Sequence, residues 1–308
     1  MKSIALALAL LLSPIAAKAR DFVELVSELP GNCERDCGNR DAVVFIHGIF
    51  GSRDSFRSGQ FFWPQRLPLV SGGRVVDVFS VQYDTSLLQG FWKDPAQFDE
   101  VVDELVSRLF DDPTHRNEGL LTSRGYRSLG FIAHSLGGNL AAAYLHSIKS
   151  FAGHKARARH SFLITLGTPV LGSQIANSYT VLKDRLPGLA NDPLLDSLAV
   201  NNTFLRMFRR WRVEENSKAN RFHCRPVDLV VAVEKAPVGP FVVVDESSAS
   251  ELRDIATEIR AFNGYNHLRI AKPESETDPL YQWVSKTIEN EMIRLNDWGD
   301  GPLCQTEY

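Results

Sequence analysis

The sequence has few cysteines, no block of like charge and, beyond its first residues, no long apolar run. Acidic and basic residues are interspersed at a formal net charge of −3, so we expect no nucleic-acid partner. No segment after residue 19 is long and apolar enough for a transmembrane helix. Neither a glycine-rich phosphate-binding fingerprint nor a tight cluster of metal ligands is present. We therefore expect no cofactor and no metal.

The first residues follow the order of a secretory signal peptide. Lys2 supplies a positive charge, residues 4–12 form a short apolar run, and residues 17–19 (Ala-Lys-Ala) offer small side chains for cleavage. The apolar run is too short to span a bilayer comfortably. We therefore predict that residues 1–19 are removed and that the mature protein is exported, either secreted or periplasmic. An uncleaved membrane anchor is the alternative.

Four cysteines follow the predicted cleavage site. In an oxidising compartment an even number favours disulfides, and three pairings are possible for such a set. Cys33 and Cys37 are close in sequence near the mature N-terminus. Cys224 precedes a predicted strand, and Cys304 follows a predicted terminal helix. We predict the pairs Cys33–Cys37 and Cys224–Cys304, the second of which would tie the tail to the core.

Short apolar runs alternate with helical patterns along the chain. The runs have the continuous apolar character of strands buried on both faces of a parallel sheet. They cover residues 42–46, 75–81, 129–133, 162–166 and 229–233. Helical patterns cover residues 98–109 and 139–147, and Asp278 followed by Pro279 indicates the start of a terminal helix. This alternation predicts a doubly wound, mostly parallel α/β sheet.

Residues 20–308 contain no internal repeat, low-complexity tract or linker, which favours a single domain. Residues 173–220 differ from the rest, because they contain apolar helical stretches and no obvious strand. They are typical either of a helical cap or lid inserted over the open end of the sheet or of an ordinary packing helix.

The strongest chemical signal surrounds Ser135. A predicted strand ends in Ala-His-Ser-Leu-Gly-Gly, residues 133–138, and a predicted helix follows at once. A nucleophilic serine occupies such a sharp turn so that its hydroxyl stands clear, and small neighbours let the strand and helix pass closely. The first glycine of the usual Gly-x-Ser-x-Gly pattern is Ala133 here. We predict that Ser135 is a nucleophile; the alternative is a glycine-rich turn around an inert serine.

A second motif agrees with the first. An apolar strand runs into a His-Gly-x-x-Gly loop at residues 47–51. In hydrolases with this serine turn, the loop after an early strand and the residue after the nucleophile each contribute an N–H to the oxyanion hole. We therefore predict the amides of Ile49 and Leu136 as the oxyanion donors. Because His47 and His134 lie inside turns, we interpret them as scaffold histidines and not as general bases.

With these motifs the chain resembles a lipase-type α/β-hydrolase, similar to the group of GPI inositol-deacylase-like proteins and serine-active-site lipid hydrolases. The stretches that carry the resemblance are residues 45–52, 81–84, 133–138, 166–169, 266–267 and 272–273. They are spread through most of the mature chain. The resemblance implies an α/β-hydrolase fold, a serine enzyme and a small-molecule or lipid ester as substrate. The aromatic segments at residues 61–63 and 91–92 are typical either of an acyl pocket or a contact with a membrane or lipid interface, or of the hydrophobic core.

In such hydrolases the general base follows the nucleophile along the chain, with an acid between them. Only His267 lies late enough, in a loop after Gly-Tyr-Asn, and we predict it as the base. Two carboxylates compete for the acid: Glu234 ends the run at 229–233, and Asp245 ends an apolar run at 241–244. Strand counting favours Glu234, because it ends the second strand after the serine turn, where this type of hydrolase holds its acid. The connection at residues 235–240 is too short for a crossover helix, so the run at 241–244 is not counted as the next parallel strand. Asp245 has the more usual residue type.

Three functions fit these residues. The first is an exported serine esterase or lipase that cleaves carboxylic esters through an acyl-enzyme. The second is an acyltransferase or thioesterase that uses the same residues on another donor or acceptor. The third is an inactive binding module on the same fold, which an intact Ser135 and His267 argue against.

Overall fold

The structure of the protein is a computed structural model, and it describes residues 22–28, 37–48, 51–83, 96–110, 119–120, 124–151, 160–169, 210–214, 217, 226–238 and 252–298. Several predictions lie outside these ranges: the signal peptide, Ile49, Asp245, the run at 241–244 and most of 173–220. Cys33, Cys224 and Cys304 also lie outside them. Cys37 is buried and disulfide-bonded, but both predicted pairings stay predictions.

Strands and helices alternate along the described parts of the chain. The strands are β1 (Val23–Ser27), β2 (Arg40–Ile46), β3 (Arg57–Ser58), β4 (Phe61–Phe62), β5 (Val70–Ser71), β6 (Arg74–Val81), β7 (Ser128–His134), β8 (His160–Leu166), β9 (Asp228–Glu234) and β10 (Glu258–Phe262). The α-helices are α1 (Ala96–Leu105), α2 (Leu136–Phe151) and α3 (Pro279–Trp298). Single 3-10 turns lie at Arg53–Phe56, Trp63–Arg66 and Arg269–Ala271, and a π-helical turn continues α1 at Val106–Phe110.

Eight strands form one sheet in the order β1-β6-β2-β7-β8-β9-β10, with β5 also paired to β6. The six strands from β6 to β10 along that order are parallel, whereas β1 and β5 run antiparallel to β6. After β2 the chain first adds β6 on one side of β2, and then crosses over to add β7 on its other side. This reversal places a crevice at the carboxyl ends of β2 and β7, where doubly wound sheets hold their sites. The predicted fold class is confirmed.

The sheet separates two hydrophobic cores. Alternate residues of each strand point to opposite faces, so that Val44 belongs to one core and Val43 to the other. Helices α1 and α2 cover the first core, and α3 covers the second. Every residue of β2, β7, β8 and β9 is buried, which explains why each strand contains a continuous apolar run instead of an alternating pattern.

The five predicted strands are present, but β1, the short strands β3–β5 and β10 were not predicted, because no continuous apolar run marks them. Strand β10, Glu-Ile-Arg-Ala-Phe, pairs with β9, and its exposed and partly buried residues alternate. That alternation is typical of a strand with one wet face, and it does not produce a continuous apolar run. The predicted terminal helix is confirmed, since Asp278 Oδ1 accepts the N–H of Leu280 at 2.9 Å and α3 starts at Pro279.

A buried ion-pair network lies at the amino ends of β2, β6 and β7, at the opposite end of the sheet from Ser135. Asp41 is 0% exposed, and both of its carboxylate oxygens accept hydrogen bonds from Arg74 at 2.6 Å. Arg127 and Ser128 donate to the same carboxylate at 3.1 and 2.8 Å. These donors compensate for the removal of the carboxylate from water.

Replacement of Asp41 with alanine should lower the free energy of unfolding by about 3 kcal/mol, because it leaves the buried Arg74 guanidinium without its main partner. Urea unfolding measures the loss. Asp54→Ala is the matched control, since the Asp54 side chain is 63% exposed and its ion pair with Arg57 contributes less than about 1 kcal/mol. Equal losses in the two variants would contradict the prediction.

Candidate active site

Ser135 occupies the sharp turn between β7 and α2. Its φ is 52°, and it is the one non-glycine residue with a positive φ in the described parts of the chain. Left-handed backbone is costly for a residue with a Cβ, so the surrounding contacts must hold it. The Ser135 N–H donates to the carbonyl of Leu166 at 3.0 Å, and the Ser135 carbonyl accepts from the Gly138 N–H at 3.0 Å. These bonds hold the backbone of the turn in place.

Close backbone packing explains the glycines beside the serine. A Cβ on Gly137 would collide with the carbonyl oxygens of Ile46 and His47, at the end of β2. A Cβ on Gly48 would lie 2.7 Å from Ser135 Cβ. The predicted His-Gly loop and the serine turn therefore touch, which is possible because neither glycine carries a side chain.

Ser135, His267 and Glu234 form a continuous hydrogen-bonded chain. His267 Nε2 lies 3.0 Å from Ser135 Oγ, and His267 Nδ1 lies 3.0 Å from Glu234 Oε2. The three residues are 3%, 1% and 1% exposed respectively. Since an ionised carboxylate can only accept, Nδ1 carries the hydrogen and Nε2 is left with a lone pair toward the serine hydroxyl. That tautomer is the one a general base needs.

The sheet topology brings the three side chains together. Ser135 follows β7, Glu234 is the last residue of β9, and His267 follows β10, which pairs with β9 so that Phe262 lies opposite Glu234. Because these strands are parallel, their carboxyl ends meet at one edge of the sheet. Strand counting put Glu234 at the carboxyl end of its strand, where the structure brings it into contact with His267; its role as the acid stays a prediction. Asp245, the competing acid, lies outside the described residues.

Of the two predicted oxyanion donors, Leu136 lies within the described residues and Ile49 does not. Leu136 is the first residue of α2, and the N–H at that position of a helix has no intrahelical acceptor. It lies at the positive end of the helix dipole, next to Ser135. Ile49 lies outside the described residues, so its predicted role is not located.

The residues just before Ile49 are held by their neighbours. The carbonyl of His47 accepts a hydrogen bond from the hydroxyl of Tyr83, whose ring stacks on the imidazole with centroids 4.1 Å apart. His47 Nδ1 donates to the carbonyl of Gly48 at 2.9 Å. Burial lowers the pKa of His47 to about 4, so this ring is neutral near pH 7. Tyr83 belongs to a stretch that carries the family resemblance, but sequence reasoning gave it no role.

His134 is also buried, and its bonded nitrogen does not point to the serine hydroxyl. Its Nε2 lies 2.8 Å from the main-chain carbonyl of His267. Burial is the main cause that lowers the pKa of His134 to about 3, and nearby His267 adds to it. The nitrogen that contacts Ser135 Oγ is that of His267, as the order of motifs predicted.

Gly167 is a further residue of the site; it lies in a stretch that carries the family resemblance, but sequence reasoning gave it no role. It follows β8 with a φ of +57°, and a Cβ there would lie 2.8 Å from Glu234 Oε2 and 3.3 Å from His267 Nδ1. The site therefore excludes a side chain at Gly167 both by backbone conformation and by space. The sequence signal is a glycine directly after a buried strand.

Gly167→Ala should lower kcat about 100-fold, because the added methyl separates Glu234 from His267 and displaces the imidazole. Gly59→Ala is the matched control: Gly59 has a φ of +55° and nothing within 4 Å of its added Cβ. Hydrolysis of a chromogenic ester gives kcat for both variants, and thermal unfolding reports the shared backbone strain. A Gly167→Ala enzyme as active as the control would contradict the argument.

The described parts of the chain contain neither a membrane-spanning helix nor a cluster of metal ligands. There, no helix is long and apolar enough to cross a membrane. No group of three or more His, Cys, Asp or Glu side chains could hold a metal ion in those same ranges. The expectation that the protein needs no cofactor stays a prediction.

Comparison with known proteins adds the following. A family model described as "Alpha/beta hydrolase family" matches residues 43–292. No curated protein matches the sequence. Among solved structures, the RedJ thioesterase of the prodiginine biosynthetic pathway of Streptomyces coelicolor is similar at 17% identity and a TM-score of 0.43, covering 86% of this chain and 97% of that one. A soluble variant of monoglyceride lipase from Saccharomyces cerevisiae is similar at 14% identity and a TM-score of 0.42, covering 83% and 88% of the two chains.

Proposed function

The chain belongs to the alpha/beta hydrolase family, and from this premise we propose that it is a serine hydrolase that cleaves carboxylic esters through an acyl-enzyme. One observation carries the proposal: Ser135 Oγ and the Glu234 carboxylate lie 3.0 Å from the two ring nitrogens of His267. A nucleophile, a base and an orienting acid in that order are what acyl transfer requires.

In the first half-reaction, Ser135 Oγ attacks the acyl carbonyl carbon while His267 Nε2 takes the hydroxyl proton. The carbonyl oxygen becomes an oxyanion and accepts hydrogen bonds from the Leu136 N–H and the Ile49 N–H. Glu234 stabilises the imidazolium. The imidazolium then donates its proton to the leaving alkoxide oxygen as the carbon–oxygen bond breaks, which releases the alcohol and leaves the acyl group on the serine.

In the second half-reaction, water replaces the alcohol. The water oxygen attacks the acyl carbon while His267 Nε2 accepts a proton from that water. The same amides stabilise the second oxyanion. The bond to Ser135 Oγ breaks, the serine recovers the proton from His267, and the carboxylic acid leaves. Each turnover thus consumes one ester and one water and restores the starting protonation states.

We propose that the substrates are lipid-like esters. The support is the resemblance to GPI inositol-deacylase-like and serine-active-site lipid hydrolases, carried by the stretches around Ser135 and His267. The test is a panel of p-nitrophenyl esters of graded chain length, assayed with and without phospholipid vesicles. Preference for long chains and a higher rate on vesicles are expected. Activity on short soluble esters alone would contradict the proposal of lipid-like substrates, whereas the proposed esterase activity would stand.

The same assay distinguishes the proposed esterase from the two alternative functions, an acyltransferase or thioesterase and an inactive binding module. Matched thioesters identify a thioesterase if they are cleaved faster than the oxygen esters, and added alcohols identify an acyltransferase if the acyl group appears on them. A fluorophosphonate probe labels an activated serine directly. Failure of both labelling and hydrolysis would leave the inactive binding module and reject the proposed function.

We also propose that the protein is exported after removal of residues 1–19. The expected N-terminus of the mature protein by mass spectrometry is Arg20, because residues 17–19 place alanines on either side of Lys18 at the cleavage site. Ala19→Arg should block cleavage and provides the control. A mature protein that retains Met1 would show that the segment is not a cleaved signal peptide.

A further inference from the structure

His134 directly precedes the proposed nucleophile, but its imidazole is bonded to the residue that carries the proposed base. His134 Nε2 lies 2.8 Å from the main-chain oxygen of His267, a residue 133 positions later in the chain. A carbonyl oxygen can only accept a hydrogen bond, so Nε2 carries a hydrogen and donates it. Both residues are buried, and water therefore competes little for either group.

The donor at this position is uncharged. Burial lowers the pKa of His134 to about 3, so its ring is neutral near pH 7. The rings of His134 and His267 lie with their centroids 5.1 Å apart. A cation at His134 would oppose the imidazolium that forms on His267 during acyl transfer. A neutral imidazole supplies the hydrogen bond without that cost.

Other contacts of the segment after β10, which carries His267, hold atoms other than the main-chain oxygen of His267. Glu234 holds the side chain of His267 through Nδ1 at 3.0 Å. Trp63 Nε1 donates to the carbonyl of Ala271 at 2.9 Å, four residues further along. The bond from His134 joins the main chain of His267 to β7, the strand whose end carries the serine. It therefore fixes the nucleophile and the base relative to each other.

We propose that His134 is a positioning residue, whose Nε2–H holds the main chain of His267 so that the His267 imidazole stays within reach of Ser135 Oγ. This inference rests on the proposed function, because it assigns His134 a part in the same acyl transfer. Loss of the bond leaves Glu234 in place, together with the hydrogen bonds that the Tyr265 carbonyl accepts from Lys235 and Ala236, but it releases the main-chain oxygen of His267 itself. A displacement of about 1 Å between reacting groups can cost roughly 100-fold in rate.

The test compares His134→Leu, which removes the donor, with His134→Gln, whose side-chain amide supplies an N–H near the position of Nε2. His160→Leu is the control, since His160 is a buried histidine of β8 at the amino end of the strand, bonded to the Tyr144 hydroxyl at 2.9 Å. For p-nitrophenyl ester hydrolysis we expect His134→Leu to lower kcat about 100-fold with little change in KM. His134→Gln should recover most of that loss, and His160→Leu should keep its kcat.

The outcomes separate this inference from the proposed function. If the wild-type enzyme neither hydrolyses esters nor reacts with a fluorophosphonate, both are wrong. If the wild type is active and His134→Leu matches it, or if His134→Gln is as slow as His134→Leu, the positioning role alone is wrong. Circular dichroism and thermal unfolding establish folding of each variant. Should the leucine variant not fold, His134→Asn replaces it, because its amide is too short to reach the same oxygen.

Discussion

Ser135→Ala is expected to abolish covalent labelling by a fluorophosphonate and to lower kcat at least about 10⁴-fold. Without Oγ no acyl-enzyme can form, and the remaining groups can only orient water against the ester. The oxyanion donors and the substrate contacts persist, so a small residual rate above the uncatalysed reaction is expected. Labelling followed by mass spectrometry and steady-state ester hydrolysis give the two measurements.

The control for this variant is Ser161→Ala. Ser161 is buried in β8, and its hydroxyl donates to the carbonyl of Leu129 at 3.0 Å. Its removal costs a buried hydrogen bond without touching the His267 ring, so labelling and kcat should stay near those of the wild type. Retention of the label in Ser135→Ala would mean that another serine is the nucleophile.

Sequence patterns predicted the core of this fold because its central strands are buried on both faces. A strand such as β8 has no wet face, so its apolar run is visible without any knowledge of its neighbours. Strand β10 has a wet face, and a five-residue alternation is too weak to recognise alone. Its absence from the prediction left the position of His267 dependent on motif order instead of on the sheet.

The site was predictable where local geometry dictates local sequence. The turn around Ser135 requires small neighbours, so the proposed nucleophile is visible in a six-residue motif. Glu234 and His267 were reached by chain order and strand counting. By contrast, the bonds from Tyr83 to His47 and from His134 to His267 join residues far apart in sequence. No periodicity or motif records such pairs, because they exist only once the sheet has brought its strand ends together.

Glu234 is the proposed acid of the site, and after Ser135 its replacement is expected to have the largest effect on turnover. Glu234 is buried at the end of β9, and its Oε2 accepts the Nδ1 hydrogen of His267. Glu234→Gln keeps the size of the side chain but removes the charge. If the amide N–H faces Nδ1, the imidazole hydrogen moves to Nε2, which can then no longer take the proton of Ser135. The imidazolium also loses its counter-ion.

We therefore expect Glu234→Gln to lower kcat up to roughly 10⁴-fold, with the fold retained by circular dichroism. Asp245→Asn, in the competing candidate, should stay within a few-fold of the wild type. Glu234→Asp is the informative intermediate: it retains the charge one methylene further from His267 and should recover part of the loss. A protein with active Glu234→Gln and crippled Asp245→Asn would reassign the acid to Asp245. In that case the 3.0 Å contact between Glu234 and His267 would be structural, and a second carboxylate would have to reach the imidazole during turnover.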